Sequence, residues 1–474
     1  MNKKIAILGA GPGGYVAAIR LAQTGADVTL IEKERLGGTC LNWGCIPSKI
    51  FKQTADSLET LRHAEEFAIT ANPEAQCNMP ALIERKERII AIQAGGIHGL
   101  LQKNGVTLHF GNGVITGNHS ISIRNNSGQE TVISWDRLIL ATGSRPADIP
   151  TLSFDGVNIL SSNDIFSLQT IPESLAIVGG GVIGCELACI FQGLGSRVTL
   201  VEAMDRLLPL PSVDEECSKL LLREMKKKKI RILTGSTVQS ARVENGRVEL
   251  SIGKFRPVAG KDSAAQQESC EKLLVCIGRT ANSSGIGLES IGVECDEKGW
   301  VKTNSRLQTS NENVYAIGDI LGPAKIMLAH VASTEGEIAA ANCMGDQREM
   351  HYDVVPSAIF TTPEIGAVGL SESEARSRDA GVRADTVLFR TLGKAQILGE
   401  IAGQAKIVSE KETGRILGVH IAGPHATDLI AEATLAMKLG ATVHDLAETI
   451  HAHPTLAEIM LETSFKALDR PLHG

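Results

Sequence analysis

Cys40 and Cys45 stand with four residues between them in Gly37-Gly38-Thr39-Cys40-Leu41-Asn42-Trp43-Gly44-Cys45-Ile46-Pro47-Ser48-Lys49. Such a pair closes a small disulfide loop if the chain curls, and Gly44 helps it curl. Pro47 fits the first turn of a helix, which places Cys45 at a helix N-terminus, where the dipole favours thiolate. Lys49 then lies near one turn along from Cys45. Thiol–disulfide exchange is the chemistry open to these residue types at this spacing. Two other readings stay open: a buried pair of free cysteines, or half a zinc site. Zinc would need a second close Cys or His pair. The other close cysteine pair, Cys185 and Cys189, shares one face of a helix at i, i+4 and reads as buried free thiols.

The elements around the cysteines come from an internal repeat. Ile5 to Glu32 (IAILGAGPGGYVAAIRLAQTGADVTLIE) and Leu175 to Glu202 (LAIVGGGVIGCELACIFQGLGSRVTLVE) align without a gap at an offset of 170 (175 − 5 and 202 − 32). Each reads as strand, glycine turn, helix ending at Gly25 or Gly195, and second strand ending on a carboxylate. That is a βαβ unit written twice. Gly9 and Gly179 permit the tight turn, Gly11 and Gly181 let backbone approach a pyrophosphate, and Gly14 and Gly184 allow close helix packing. Glu32 and Glu202 can accept hydrogen bonds from a ribose 2′-OH. Two dinucleotide sites in one chain suggest a flavin plus a nicotinamide. The Glu202 carboxylate repels a 2′-phosphate and so favours NAD over NADP, with Arg197 and Arg206 close enough in sequence to oppose it.

Composition agrees with a multidomain α/β protein. The 474 residues ask for three or four domains, and 43% hydrophobic content builds large cores. With 54 acidic against 47 basic side chains, a net charge of −7 argues against nucleic acid as a partner. No apolar run approaches the ~20 residues of a membrane helix, and Ile5 to Leu8 is too short for a signal h-region. The expected compartment is the cytoplasm, where the ten cysteines should be mostly reduced and buried.

The segment GGTCLNWGCIPSK is similar to the redox-active disulfide motif of the pyridine nucleotide–disulfide oxidoreductases. Its Ile-Pro-Ser-Lys ending resembles the lipoamide branch of that family, where glutathione reductases more often have Val-Pro-Lys-Lys. The likeness covers the whole chain through Ala141-Thr142-Gly143-Ser144-Arg145-Pro146, Ile277-Gly278-Arg279, Tyr315-Ala316-Ile317-Gly318-Asp319, Met327-Leu328-Ala329-His330 and His451-Ala452-His453-Pro454-Thr455-Leu456-Ala457-Glu458. It implies an FAD-dependent enzyme that oxidises protein-bound dihydrolipoamide through a Cys40–Cys45 disulfide and passes electrons to NAD. The competing readings are a glutathione-type, NADPH-driven reductase and a catalytically idle flavoprotein scaffold. A mercuric reductase is disfavoured because the last cysteine is Cys343.

The resemblance also implies roles. Cys45 would lie against the flavin as a charge-transfer thiolate, and Cys40 would meet the dithiol. Lys49 would sit near flavin N5 and pair with Glu186. Asp319 would hold the ribityl chain, unless it only caps a following helix, and Thr142, Gly143, Gly278 and Arg279 would complete the cofactor sites. His330 looks structural, and no metal is expected. His453 is the candidate base, with Glu458 orienting its ring or else closing a capping box with Thr455. His451 should face the same way as His453 in an extended segment. The partner expected is a second copy, as an obligate homodimer completing each site, and the lipoylated carrier of a 2-oxoacid dehydrogenase or glycine cleavage type complex.

The fold class is therefore α/β, with two Rossmann-like dinucleotide-binding domains and a C-terminal α+β dimerisation domain. Boundaries are expected at 1–146 (FAD), 147–270 (NAD), 271–345 (strands completing the FAD site) and 346–474 (interface). Within the last, Gly414 to Ala422 reads as a strand and Asp428 to Leu439 as a helix. Pro257 to Glu268 reads as a polar loop, and Lys226 to Lys229 as a basic helix end rather than a phosphate patch.

Overall fold

The computed structural model describes residues 2–256, 265–378 and 381–473. Most of the expected polar loop, 257–264, lies outside the described residues, and Gln266–Cys270 beyond it is a strand. The chain divides into two compact units: Met1–Ile50, Pro80–Ala147 and Gly278–Tyr352 form one, and Phe51–Met79, Asp148–Ile277 and Asp353–Gly474 the other.

The first unit is built on a five-stranded parallel sheet ordered Val314–Ala316, Arg137–Leu140, Lys4–Leu8, Asp27–Glu32, Thr107–Phe110. The second contains a parallel sheet of the same plan: Ile159–Leu160, Lys272–Val275, Ser174–Val178, Arg197–Val201, Arg231–Leu233. In both, a three-stranded antiparallel sheet is inserted between the same two strand positions. The repeat visible in sequence over one βαβ unit thus extends over a whole domain. Beyond that unit the sequence likeness thins to a short stretch, RLILATG at 137–143 against KLLVCIG at 272–278, and topology carries the rest.

One strand of the span 271–345 lies in the second unit. Lys272–Val275 pairs with Ser174–Val178 in register, Leu175 opposite Lys272 through Val178 opposite Val275, so it belongs to the second parallel sheet. The first compact unit resumes at Gly278 and the second at Asp353. Residues Phe51–Met79 also go with the second unit, where Phe51 packs edge-on against Phe166 with ring centroids 5.2 Å apart and the Arg62 guanidinium donates to Gly193 O. The lysine run ends the helix Glu215–Lys227 as expected; Lys227 pairs with Glu224 and Lys228 with Glu59.

The C-terminal part of the second unit holds a five-stranded antiparallel sheet ordered Ser357–Ile359, Glu364–Gly369, Ile416–Gly423, Gln404–Glu410, Val382–Leu388. The expected strand and helix of this region lie at Ile416–Gly423 and Ala426–Lys438. A core of Phe389, Ile407, Val419, Ile421, Ile459 and Met460 forms beneath the sheet.

One feature of this unit has no signature in sequence. The Lys406 ammonium, its side chain 3% exposed, donates to Asp214 at 2.9 Å and Glu372 at 2.8 Å and lies 2.9 Å from Glu216. Burial alone would lower the Lys406 pKa, but the bonds from Glu372, Glu216 and Asp214 outweigh it and raise it. Asp214 also caps the helix Glu215–Lys227 through Glu216 N–H. Lys406→Met removes the ammonium bonded to the buried Asp214 cap, and the uncompensated charge should cost about 3–5 kcal/mol. A lowered urea midpoint at unchanged slope is the expected reading; an unchanged midpoint would mean the cluster contributes nothing.

Candidate active site

The glycine loops show which glycines the protein itself requires. A Cβ on Gly9 would meet Ala141 O at 2.2 Å, and one on Gly179 would meet Cys276 O at 2.3 Å; both residues have φ above +100°. A Cβ on Gly14 or Gly184 would meet the carbonyl of Gly9 or Gly179 at 1.9 and 1.8 Å. The middle glycines differ. A Cβ on Gly11 finds no atom nearer than Gly38 Cα at 4.0 Å, and one on Gly181 finds none within 4 Å. Protein packing does not demand glycine there, so the space is kept for something else. Each middle glycine is also the N-cap of its helix, without a side-chain cap, over Pro12–Gln23 and Val182–Leu194. Uncapped amides beside an open cradle fit the pyrophosphate of FAD at the first loop and of NAD at the second.

Glu32 and Glu202 do more than the sequence suggests. Glu32 accepts from Ala10 N and Glu34 N, both at 2.8 Å, and Glu202 accepts from Gly180 N and, at 2.7 Å, Met204 N. Each carboxylate therefore ties the strand end back onto its own glycine loop. Burial raises the Glu32 pKa against those bonds. Each oxygen keeps a second lone pair for a ribose hydroxyl. Of the two arginines that could oppose NAD, Arg206 donates to Val213 O and Leu210 O, and Arg197 pairs with Glu173.

Cys40 lies in the short helix Gly38–Asn42, and Cys45 begins the helix Cys45–Arg62, so the expected helix start is met. Gly37, with φ +88°, sets up the first helix, and Asn42 Nδ2 ties it by donating to Leu36 O and Gly38 O. The two sulfurs are hydrogen-bonding neighbours. That bond to Cys45, then burial, pushes the Cys40 thiol far up, while the Lys49 charge opposes. Cys185 and Cys189 are buried within their helix, as expected, and burial pushes Cys189 up to about 11.

Asp319 does not cap a helix. Its Oδ2 accepts from the Ser144 hydroxyl at 2.6 Å and lies 3.6 Å from Arg279 Nε. Arg279 in turn donates to Ser144 Oγ at 2.6 Å and Ser144 O at 2.8 Å. Burial lowers the Arg279 pKa, with Asp319 and Cys45 pulling it back, which brings this cluster within electrostatic reach of the cysteine pair. Ser144 is the residue sequence reasoning missed, although it stood inside a quoted motif. Thr142 and Gly143 are tied to Asn282: Thr142 Oγ1 donates to Asn282 O at 2.8 Å and Asn282 N to Gly143 O at 3.0 Å. In the other unit, Glu186 is 6% exposed and accepts from Phe360 N at 2.9 Å.

His453 Nδ1 lies 2.9 Å from Glu458 Oε1, and Glu458 Oε2 accepts from Thr455 N at 2.9 Å. One carboxylate serves both the ring and the chain before its helix. Glu458 thus makes its own half of a capping box, and the Thr455 hydroxyl donates to Ala452 O. Burial would raise the Glu458 pKa; the Thr455 N–H and His453 outweigh it and lower it. His451 corrects an expectation. Its side chain is 4% exposed and bonded to Glu432 at 2.8 Å, while that of His453 is 76% exposed. The segment is a bend without strand pairing, so residues two apart do not share a face.

The family model described as "Pyridine nucleotide-disulphide oxidoreductase" matches residues 3–336, and its dimerisation domain matches 355–464. The chain belongs to the pyridine nucleotide-disulphide oxidoreductase family. Curated relatives named dihydrolipoyl dehydrogenase include one from Chlamydia muridarum, 41% identical over 98% of this chain and 97% of its own. Another, from Bacillus subtilis, is 40% identical over 99% and 98%, and the mitochondrial one of Rattus norvegicus 37% identical over 98% and 91%. The crystal structure of LpdA from Mycobacterium tuberculosis superposes with a TM-score of 0.89 at 26% identity, covering 98% of this chain and 99% of that one. Family membership makes the chain a flavoprotein oxidoreductase with two dinucleotide-binding domains and a dimerisation domain. Among the described residues, no helix is long and apolar enough to cross a membrane.

Proposed function

We propose that the chain oxidises protein-bound dihydrolipoamide to lipoamide and delivers the electrons to NAD, as the dehydrogenase component of a lipoyl-dependent complex. The observation that carries this reading is the adjacent Cys40 and Cys45 sulfurs at a helix N-terminus, within electrostatic reach of Arg279 and beside the first glycine-loop domain. Its full-length relatives carry the name dihydrolipoyl dehydrogenase. FAD, when bound, supplies the two-electron relay between the thiol pair and NAD.

The chain's own residues do the rest. Cys40 supplies the interchange sulfur: in the oxidised enzyme it is joined to Cys45 as a disulfide, and a substrate thiolate that attacks the Cys40 sulfur opens that S–S bond, with Cys45 leaving as thiolate. The second substrate thiolate then closes the lipoyl disulfide, leaving Cys40 and Cys45 reduced. His453 takes the proton from the attacking thiol, and Glu458 holds its ring. With FAD bound, Cys45 would lie against the flavin, Lys49 would sit near it and pair with Glu186, and Asp319 would hold the ribityl chain. Gly9, Gly11, Gly14, Glu32, Thr142, Gly143, Gly278 and Arg279 complete the FAD domain; Gly179, Gly181, Gly184 and Glu202 hold NAD. The working unit is a homodimer in the cytoplasm, each site pairing Cys40 and Cys45 of one copy with His453 of the other. Carriers of the 2-oxoacid dehydrogenase or glycine cleavage type supply the dithiol.

The discriminating assay compares NADH-driven reduction of lipoamide with NADPH-driven reduction of glutathione disulfide. The first should dominate; dominance of the second overturns the reading. Coenzyme choice gives a separate prediction. Glu202→Gln together with an arginine introduced nearby should raise NADP use relative to NAD by about tenfold or more, read as the ratio of kcat/KM. A native protein that already favours NADPH contradicts the role of the carboxylate.

A further inference from the structure

The helix Ala329–Met344 is pressed onto the first glycine-loop helix. A Cβ on Gly336 would meet Gly13 O at 2.5 Å, and one on Gly13 would meet Ala332 O at 2.9 Å. On this helix Glu335 is 1% exposed, and both its oxygens are used. Oε2 accepts from Gly318 N and Oε1 from the Tyr352 hydroxyl, each at 2.6 Å. Gly318, at φ +72°, immediately precedes Asp319, which is itself bonded to Ser144. A buried carboxylate is expensive. This one lies outside the thiol chemistry, and it reaches the backbone of the single turn that presents Asp319.

We propose that Glu335 is a positioning residue for the flavin: through the Gly318 N–H it holds the turn that aims the Asp319 carboxylate, and it does so best as the carboxylate anion. The proposal rests on the reading that Asp319 contacts FAD. Ionised, Glu335 accepts from both donors. Protonated, it offers Gly318 a neutral acceptor, a weaker partner than an anion, and its own O–H competes with that of Tyr352. Burial raises its pKa to about 7, against the bonds from Tyr352 and Gly318; Asp319 pushes the same way as burial and Lys325 opposes. Among the described residues, the titratable or charged side chains acting most strongly on it are Tyr352, Asp319 and Lys325, and the Lys325 ammonium also lies 5.0 Å from the Tyr352 ring centroid. The sign follows from the raised value. The anion is complete only above pH 7, so the turn should be held more firmly, and FAD bound more tightly, as pH rises through 7.

The test measures the FAD dissociation constant of the flavin-stripped full-length protein by quenching of flavin fluorescence between pH 6 and 8.5. Native protein should bind more tightly as pH rises, by about tenfold across the range. Glu335→Gln should flatten that profile at the weak end, about tenfold weaker at pH 8 and unchanged at pH 6. Tyr352→Phe removes one donor to the anion and should move the midpoint to higher pH, which keeps the proposal testable if Glu335→Gln fails to fold. Asp319→Asn separates this proposal from the reading beneath it. Unchanged FAD affinity in Asp319→Asn overturns the Asp319 contact and the proposal with it. Weakened binding there, with native-like profiles in the Glu335 and Tyr352 variants, overturns the role of Glu335 alone.

Discussion

Cys40→Ser is expected to retain FAD, and Cys45 in its place, while dithiol-dependent reduction of NAD falls by roughly a thousandfold or more. The loss is large because serine offers no sulfur for exchange, so no amount of substrate binding replaces the missing step. Flavin retention follows from how the loop is held. The helix Gly38–Asn42 is tied by Asn42 to Leu36 O and Gly38 O and opened by the left-handed Gly37, and none of these contacts uses the Cys40 sulfur. Arg279 and Asp319, proposed to hold FAD, are tied to each other through Ser144 and not through the Cys40 sulfur. Absorbance of the purified variant reports the flavin, and NADH formation the turnover. A variant that loses its flavin would show that the cysteine loop is mainly a structural prop for the FAD domain.

The second large effect concerns His453. His453→Gln should slow dithiol oxidation about a hundredfold to ten-thousandfold, the range of a lost general base. Glu458→Gln keeps the size of the orienting side chain but weakens its hold on the ring, and should cost less. Because His453 is 76% exposed in a single chain, within the segment that matches the dimerisation domain, its thiol partner is expected on the second copy. Cys45→Ser chains mixed with His453→Gln chains, each nearly inactive alone, should therefore regain one working site per mixed dimer. Verified mixed dimers without recovered activity would show that His453 acts within its own chain or is not the base.

The parts of this site that were legible in sequence are those governed by local geometry. Gly9 and Gly14 could be read because a turn and a helix start leave no room for Cβ, which is a matter of a few neighbouring residues. Cys45 at a helix N-terminus followed from Pro47 two residues on. Long-range partners were not legible. Ser144 meets Asp319 across 175 positions, Lys406 meets Asp214 across 192, and Glu335 reaches back 17 residues to Gly318 against its own helix. Nothing in the spacing of such residues distinguishes them from ordinary surface polar groups. Glu32 and Glu202 were legible as strand-end carboxylates, but their bonds to Ala10 and Gly180 depend on how each side chain folds back. His451 was placed on the wrong side because alternation was assumed where no strand forms. Lys272–Val275 fell inside the span 271–345 expected to supply strands to the FAD domain; which of two similar sheets it joins is decided by tertiary pairing.

The measurement closest to the central claim maps the thiols that appear when the enzyme takes up electrons. Oxidised holoenzyme is reduced anaerobically with NADH, alkylated without unfolding, and digested for mass spectrometry. New label should appear on Cys40 and Cys45 together. Cys217, Cys270 and Cys343 are buried and pushed up to about 12, so they carry almost no thiolate and should stay unlabelled before and after. Label that rises at Cys40 and Cys45 with NADH, and falls again when lipoamide is added, is the predicted result. No change at these two cysteines, or NADH-dependent label at any other pair, would contradict the account.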